Sequence, residues 1–266
     1  MLEIATATLA TPRLKFSAVI LAGGRSTRMG QDKATLPLDG QPLLARQIAF
    51  AKSLGPVEIL ISGRPEVDYT PFDCPVLMDR VQNAGPLAGI AVALEAARAP
   101  LVLVLAVDMP YLTRAAVERL MNACTPDRGA VPRFRDRLEP LVAIYPRAAV
   151  SVANQQLADG YLAVRDFAIR CQEAGLVCLL DLEPELDGVF RSWNSPADIN
   201  TGPAVQPSET AWQPDAVCEL CGRPGAYRLG QSHICSDCYH AGSSCCPEFG
   251  AWDGWTAADD SGGQTA

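Results

Sequence analysis

An unbroken apolar run at residues 101–107, LVLVLAV, constrains the fold of this chain more than any other stretch. A half-buried strand alternates apolar and polar residues, whereas this run is apolar on both faces. Such a strand is typical of the centre of a parallel sheet that helices cover on both sides. The run ends at Asp108, and Pro110 follows closely. We therefore predict an α/β fold with its central parallel strand here.

Strand-like and helix-like segments alternate on either side of this run. We predict strands at 17–21, 57–61, 75–78 and 176–181, and helices at 42–54, 85–98, 113–124, 148–157 and 164–174. This alternation implies right-handed βαβ crossovers and a doubly wound, mostly parallel sheet. Two more predicted strands, 129–133 and 138–145, flank the charged run 133–137. We expect this pair to lie over the mouth of the sheet and to shape a second substrate pocket. The charged run is a candidate contact for a substrate phosphate, and solvated loop charge is the alternative interpretation for most of it.

The first predicted strand leads into a glycine-rich, basic loop, LAGGRSTRMGQDK, at residues 21–33. Gly23 and Gly24 let the backbone approach a ligand closely, and Arg28 and Lys33 add positive charge. Backbone N–H groups and fixed cations together suit a polyphosphate. The spacing matches neither a P-loop nor a dinucleotide-binding fingerprint. A glycine-rich turn with solvated charges is the alternative interpretation.

Two aspartates, Asp79 and Asp108, each follow a predicted strand. Ligands of doubly wound sheets bind beyond the carboxyl ends of the strands, so we expect both carboxylates and the glycine loop at one edge. Asp108, alone or with one partner, suits Mg2+, which takes one or two carboxylates together with phosphate oxygens and water. These residues permit attack of a nucleophile on an α-phosphate with release of pyrophosphate. A turn or capping role is the alternative for either aspartate.

The overall composition excludes several classes of partner. With a net charge of −8, general affinity for nucleic acid is not expected. No apolar run approaches the roughly 20 residues that span a membrane. Residues 1–15 place Glu3 before their cations, which is the wrong order for a signal peptide. We therefore predict a cytoplasmic protein whose residues 1–15 form a flexible leader.

Six of the ten cysteines lie between Cys218 and Cys246. Two C-x-x-C pairs among them predict a structural Zn2+ site, in a zinc-ribbon-like module at residues 215–250, with the ligands Cys218, Cys221, Cys235 and Cys238. So small a segment cannot build a sufficient core, and a metal would supply the missing stability. Disulfide pairing is the alternative. Additional ligands remain open at four positions: His233, His240, Cys245 and Cys246. A linker is predicted at 202–214 and a disordered tail at 251–266.

Three segments carry a family resemblance: LAGGRSTRMGQDKATLPLDGQPLL, DRVQNAGPLAGI and AVDMPYL. They closely resemble molybdenum cofactor guanylyltransferases, within the nucleotidyltransferase superfamily, and LEPLVAIY and WNSPADINT are similar too. The resemblance covers residues 16–201 and implies a Rossmann-like nucleotidyltransferase domain. The implied reaction transfers GMP from GTP to molybdopterin and releases pyrophosphate. The cysteine module is not part of the resemblance, and its position suggests a docking site for a molybdoenzyme or its chaperone.

The resemblance also implies roles for single residues. Nucleotide binding would fall on Leu21, Ala22, Gly23, Gly24, Lys33, Asp79 and Asp108. The expected catalytic residues are Lys33, Asp108 and the loop cation Arg28, and Asp108 would also hold Mg2+.

One position departs from the family pattern and bears on the choice of base. In the family that the chain resembles, a preference for guanine goes with a glycine at the position of Gly24, where a small residue leaves room for a purine. Ile61 stands where some members carry an asparagine that binds the nucleotide, and its side chain cannot form a hydrogen bond. Backbone near residues 62–63 would then make the contact, or the base selectivity is altered. One alternative function is therefore a cytidylyltransferase acting on molybdopterin or another phosphate acceptor. A second alternative, from a different class, is a GTP-sensing zinc adaptor.

Overall fold

The computed structural model describes residues 14–23, 34, 37–38, 40–81, 84–193, 212–219, 221–229 and 232–234. In the part of the chain up to residue 193, the strands are β1 (Phe16–Leu21), β2 (Pro37–Leu38), β3 (Gln41–Pro42), β4 (Ile59–Gly63), β5 (Val76–Met78), β6 (Leu101–Ala106), β7 (Gly129–Phe134), β8 (Arg137–Leu138), β9 (Val142–Pro146) and β10 (Val177–Asp181). The helices are α1 (Leu43–Leu54), α2 (Pro86–Ala96), α3 (Arg114–Ala123), α4 (Val150–Ala158) and α5 (Val164–Glu173). Short 3-10 segments occur at Thr70–Phe72, Arg147–Ala149 and Pro184–Phe190.

The strands form one large sheet in the order β10-β7-β9-β6-β1-β4-β5, and the short β8 pairs with β7. Strands β6, β1, β4 and β5 are parallel to one another, as are β7 and β10. Strand β9 lies between β6 and β7 and is antiparallel to both. The prediction of an α/β fold with a mostly parallel sheet is therefore confirmed.

Strand β6 is buried along its whole length and joins two apolar layers. Leu101, Leu103 and Leu105 pack into a cluster with buried residues of α1 and α3. Val102 and Val104 face the other side, where they pack with residues of α2, α4 and α5. Because successive side chains of a strand point to opposite faces, a run without polar residues requires such a double cover. The interpretation of 101–107 as a central strand is confirmed.

Local sequence signals explain where several helices begin and end. Helix α1 begins directly after Pro42 and ends at Leu54, where Gly55 follows with a φ of 77° that glycine readily adopts. Thr113 caps α3, because its side chain accepts a hydrogen bond from the backbone N–H of Ala116 at 3.3 Å. Helix α2 starts with Pro86, a residue that suits the first helical turn.

The expectation that the strand pair at 129–145 lies over the mouth of the sheet is wrong. Both β7 and β9 belong to the sheet, and their residues are almost all buried. Gly129 allows this pairing, since a Cβ there would overlap the carbonyl oxygen of Ile144. Strand β7 runs in the same direction as β6, so the turn between β7 and β8, with Arg135 at a φ of 53°, lies at the carboxyl edge.

The C-terminal part contains a separate antiparallel sheet in the order β11 (Trp212–Val217), β12 (Pro224–Leu229) and β13 (Ser232–Ile234). Strand β11 begins inside the predicted linker 202–214. The predicted tail at 251–266 lies outside the described residues.

In the described part of the chain, none of the helices has the length and apolar character that crossing a membrane requires.

Candidate functional site

The carboxyl ends of β6, β1, β4 and β5 lie side by side at one edge of the sheet. The chain leaves β1 through Leu21, Ala22 and Gly23, three of the residues expected to bind nucleotide. The N–H of Ala22 donates to the carbonyl of Ser62 at 2.9 Å, and the N–H of Val107 donates to the carbonyl of Leu21 at 3.3 Å. These bonds fix the start of the glycine loop between the ends of β4 and β6.

Nothing in the described part of the chain requires a glycine at position 23. Its φ is outside the left-handed region, and a Cβ would meet the carbonyl oxygen of Gly63 at 3.6 Å, an ordinary contact distance. Within the described residues, neither backbone strain nor packing therefore explains a glycine here. This absence of a local reason is compatible with close approach of a ligand to the backbone, the role predicted for this position.

The glycines of the GPLAG segment, by contrast, are explained by the fold. Gly85 has a φ of 65°, a conformation that side chains disfavour, and it turns the chain into α2. A Cβ on Gly89 would overlap the hydroxyl oxygen of Ser62, so this glycine lets α2 lie close against β4. The segment therefore sets the distance between a helix and the strands that carry the site.

Asp79 follows β5, the last strand at one side of the sheet. Its Oδ1 is buried and forms no hydrogen bond within the described residues. Burial raises the pKa of this carboxyl from 3.8 to about 6, because removal from water disfavours the ionised form. A half-buried carboxylate without a partner for one oxygen is suited to accept hydrogen bonds from a ligand.

Asp108 follows β6 at the centre of the same edge, and three hydrogen bonds hold the backbone around it. The N–H of Trp193 donates to the carbonyl of Asp108 at 2.8 Å. The side-chain amide of Gln47, on α1, donates to the carbonyls of Met109 at 2.8 Å and Ala106 at 3.3 Å. The carboxylate is thus carried by a loop that is fixed from two other parts of the chain.

Gln47 and Trp193 were not among the predicted site residues. Gln47 lies on the face of α1 that otherwise carries Leu43, Leu44, Ile48 and Ala51, and a polar residue within this apolar stripe was a usable signal. Trp193 is buried and packs edge-to-face on Tyr111, with ring centroids 6.0 Å apart. Its contact with Asp108 is made by its backbone, which leaves no mark in the sequence.

The two aspartates are at the same edge but are not neighbours. Strands β1 and β4 lie between β6 and β5. At about 4.8 Å for each strand spacing, the strand ends are separated by roughly 14 Å. One metal ion therefore cannot bind both carboxylates at the level of the strand ends, and the two residues suit different parts of one extended ligand.

Ile61 is fully buried in the apolar cluster beside β1. Its side chain points into the core, so an asparagine in this place would have to leave the core to reach a ligand. Ser62, on the other face of β4, is also buried and lies against Gly89 of α2. Neither side chain is available at the surface of the edge.

Several predicted site residues lie outside the described residues: Gly24, Arg28 and Lys33 of the glycine loop, and Cys235 and Cys238 of the cysteine module. Their roles stay predictions. The four positions that were left open as zinc ligands include His240, Cys245 and Cys246, which also lie outside.

Two of the three arginines of the charged run 133–137, Arg133 and Arg137, are engaged with carboxylates. Arg133 forms two hydrogen bonds with Asp181, at 2.6 and 2.8 Å. Arg137 forms ion pairs with Glu139 and Asp187, and its guanidinium lies 5.4 Å from the centre of the Phe134 ring. These pairs join the β7–β8 turn to β10 and to the segment after it, which gives both arginines a structural role.

The first cysteine pair lies in the turn between β11 and β12. The carbonyl of Cys218 accepts a hydrogen bond from the N–H of Gly222 at 2.9 Å, and Gly222 has a φ of 71°. Cys218 is buried, whereas Cys221 is exposed. The N–H of Glu219 donates to the carbonyl of His233 at 2.8 Å, so the turn lies beside β13.

Within the described ranges, no group of three or more His, Cys, Asp or Glu side chains forms a ligand cluster for a metal. Mg2+ does not need such a cluster, because it accepts one or two carboxylates and takes its other ligands from phosphate and water. The carboxylate of Asp108 fits this requirement.

Comparisons with known proteins agree with the geometry. The model of the MobA-like NTP transferase domain matches residues 18–172. A relative in Opitutus terrae, named as a probable molybdenum cofactor guanylyltransferase, is 36% identical over 185 residues, which cover 68% of this chain and 92% of the relative.

Solved structures with the same fold include two named proteins. The molybdopterin-guanine dinucleotide biosynthesis protein A of Archaeoglobus fulgidus superposes with a TM-score of 0.56 at 23% identity, over 69% of this chain and 94% of that one. The 2-C-methyl-D-erythritol 4-phosphate cytidylyltransferase of Thermus thermophilus superposes with a TM-score of 0.52 at 23% identity, over 68% and 94%. Both similarities concern the fold, and the fold alone does not select a base. The sequence match, which spans most of the sheet and the strand-end residues, decides the family: this chain belongs to the MobA-like NTP transferases.

Proposed function

We propose that this protein transfers GMP from GTP to molybdopterin, releasing pyrophosphate and forming the guanine dinucleotide form of the cofactor. The observation that carries the proposal is the carboxyl edge of the sheet, where the fixed Asp108 lies beside the start of the glycine loop. The Opitutus terrae relative, aligned over most of the domain, is named for this reaction.

In the proposed reaction, a phosphate oxygen of molybdopterin attacks the α-phosphorus of GTP. The bond between the α-phosphorus and the oxygen that bridges to the β-phosphate breaks, and pyrophosphate leaves with both electrons of that bond. The backbone at residues 21–23 lies against the nucleotide, where Gly23 permits close approach. Lys33 and Arg28 balance the charge of the phosphates. Positioning and charge stabilisation supply most of the rate in chemistry of this kind.

Asp108 is the residue that we propose as the ligand of Mg2+. When bound, this ion would neutralise charge on the α-phosphate and the leaving pyrophosphate. Asp79, three strand positions away, would accept hydrogen bonds from the nucleoside part of GTP. Its Oδ1, which is buried and has no hydrogen-bond partner among the described residues, supports that assignment.

We further propose that the C-terminal module holds a structural Zn2+ ion through Cys218, Cys221, Cys235 and Cys238. The turn with the first pair lies beside His233, and Cys235 follows two residues later in the sequence. From this spacing we expect both pairs at one end of the small sheet. The ring Nε2 of His233 is 3.1 Å from the side-chain oxygen of Gln213, which gives it a protein partner and favours the cysteines as ligands. Docking of a molybdoenzyme or its chaperone at this module, and a cytoplasmic location, stay predictions.

The test is to incubate the purified, zinc-loaded protein with molybdopterin, Mg2+ and either GTP or CTP, and to measure pyrophosphate. We expect turnover with GTP and much slower turnover with CTP. A preference for CTP would replace the assignment with a cytidylyltransferase, an outcome that the buried Ile61 and the shared fold make worth measuring. Absence of turnover with both nucleotides, in protein that stays folded, would overturn the proposal.

A truncation at about residue 205 separates catalysis from the module. Activity similar to that of the full chain would make the module an accessory, as expected if its zinc is structural. Tight GTP binding without turnover in the full chain would instead favour a GTP-sensing adaptor.

A further inference from the structure

The side chain of Gln47 is a buried polar group in an apolar helix face. It is 2% exposed and lies on α1 in the stripe that packs against the sheet. Packing alone would favour an aliphatic residue at this position, because burying an amide costs free energy unless its hydrogen bonds are made. The structure shows where those bonds go.

The amide of Gln47 joins two carbonyls that bracket Asp108. Ala106 is the last residue of β6, and Met109 is the residue after Asp108. Both carbonyl oxygens can only accept, so the –NH2 group of Gln47 faces them and uses one N–H for each, at 3.3 and 2.8 Å. One side chain thereby fixes the distance between the backbone on either side of the aspartate.

We propose that Gln47 is a positioning residue for Asp108, holding the loop so that the carboxylate points to the metal and phosphate site. This inference rests on the proposed nucleotidyl transfer. Gln47 does not touch the reacting atoms and acts through the two carbonyls. A third hydrogen bond holds the same loop: the N–H of Trp193, which is distant in sequence, donates to the carbonyl of Asp108.

Removal of the amide is expected to change the chemistry more than the fold. Two buried carbonyls would lose their donor, and the loop would relax toward other partners. A misplacement of about 1 Å costs as much as 100-fold in rate when positioning dominates catalysis. We therefore expect Gln47→Met, which keeps the volume but has no donor, to lower kcat about 10- to 100-fold while KM for GTP changes little.

A matched control exists on the other face of the sheet. Gln156 of α4 is also fully buried, and its amide donates to the carbonyl of Ala163 at 2.9 Å. Gln156→Met removes the same chemical group from the core but leaves the Asp108 loop untouched. We expect it to lower the melting temperature and to leave kcat unchanged.

The experiment compares wild type, Gln47→Met, Gln156→Met and Gln47→Asn. It measures kcat and KM for GTP, the melting temperature, and the affinity for Mn2+ in the presence of GTP by electron paramagnetic resonance. Gln47→Asn keeps an amide but is one methylene too short to span both carbonyls, and it provides a folded variant if Gln47→Met is too unstable. Both Gln47 variants should bind Mn2+ several-fold more weakly than wild type, and Gln156→Met should not.

Unchanged kcat and Mn2+ affinity in the Gln47 variants, or equal losses in Gln156→Met, would overturn the positioning role. The Mn2+ measurement needs no acceptor substrate. If wild type shows no turnover, the proposed function fails, while the weaker Mn2+ binding of the Gln47 variants would still report the positioning of Asp108.

Discussion

Asp79 and Asp108 occupy equivalent positions in the topology, each after a parallel strand at the same edge, but their surroundings differ. The backbone around Asp108 is held by Gln47 and Trp193 at the centre of the sheet. Asp79 follows the three-residue strand β5 at the side of the sheet, and its Oδ1 has no partner in the described part of the chain. The topology therefore places both aspartates at one edge, while their surroundings differ: the backbone that carries Asp108 is fixed, and Asp79 has a buried oxygen with no partner among the described residues.

A third strand-end carboxylate shows that position alone is not enough. Asp181 is the last residue of β10, at the same edge, and it is exposed. The hydrogen bonds from the Arg133 guanidinium hold the pKa of Asp181 below its ordinary value. Its charge is already partnered within the protein, so no ligand is needed to explain it.

The largest effect is expected at Asp108. Asp108→Asn keeps the size of the side chain but weakens its hold on a divalent cation, and we expect kcat to fall by about 100- to 1,000-fold, the range seen when a charge-stabilising group is lost. Pyrophosphate release measures the effect, and circular dichroism checks the fold. Retained turnover would remove Asp108 from the metal role.

A smaller effect is expected for nucleotide affinity at Asp79. Loss of a hydrogen bond between a charged group and its ligand costs about 1.5–3 kcal/mol, so Asp79→Asn should weaken GTP binding about 10- to 100-fold. Because the carboxyl has a pKa of about 6, wild-type affinity should rise between about pH 5 and pH 7 as Asp79 ionises. Titration calorimetry at several pH values tests this, and an identical pH profile in the variant would exclude Asp79 as the titrating group.

Ionisation of Asp79 is also expected to change the stability of the folded protein modestly. It should lower this stability, whereas it should raise the affinity for GTP. The folded protein holds the Asp79 proton more tightly than the unfolded chain, since burial raises the pKa from 3.8 to about 6. Stability from this group is therefore present below pH 3.8 and is lost as the pH rises through about 6.

Without nucleotide, Asp79→Asn should thus be more stable than wild type above about pH 6, by roughly 1 kcal/mol after allowance for solvent screening, and equal to it near pH 3.5. Urea unfolding at the two pH values measures the difference. A constant difference across this range would mean that ionisation of Asp79 does not affect folding.

The smallest effect is expected at Asp181. Asp181→Asn removes an exposed carboxylate from the same edge, and we expect kcat, KM and the melting temperature to match wild type. A clear loss of turnover with intact folding would show that the acceptor side of the edge uses this residue, and the contrast with Asp79 and Asp108 would then need revision.

The sequence was sufficient for those features that depend on local pattern. The double-faced run of β6 predicted the central strand, and Thr113 predicted the start of α3. The residues after β1, β5 and β6 were expected at one edge because parallel strands end together, and the structure places them there. Each of these inferences needs only a few neighbouring residues.

Features that depend on long-range pairing were not accessible in the same way. The sequence around β7 and β9 does not show whether this strand pair lies over the sheet or forms part of it. Buried strands appear as apolar runs in both cases. Likewise, the separation of roughly 14 Å between the strand ends that carry Asp79 and Asp108 follows from the order of the strands in the sheet. That order cannot be deduced from the order of the strands in the sequence. Gln47 is intermediate, since its polarity was visible and its partners were not.

The reversed strand β9 also has a consequence for synthesis of the chain. β7 precedes β9 in sequence, yet β9 lies between β7 and β6, so the place beside β6 must stay open until residue 146 has been made. Until then the most apolar strand of the protein presents an unpaired edge, the kind of surface that recruits strands from other chains. A fragment that ends after α3 should therefore scatter light as it aggregates, while one that ends after β10 should stay in solution. Strand β9, which joins the two parallel parts of the sheet, is thus also expected to protect the growing chain from aggregation with other chains.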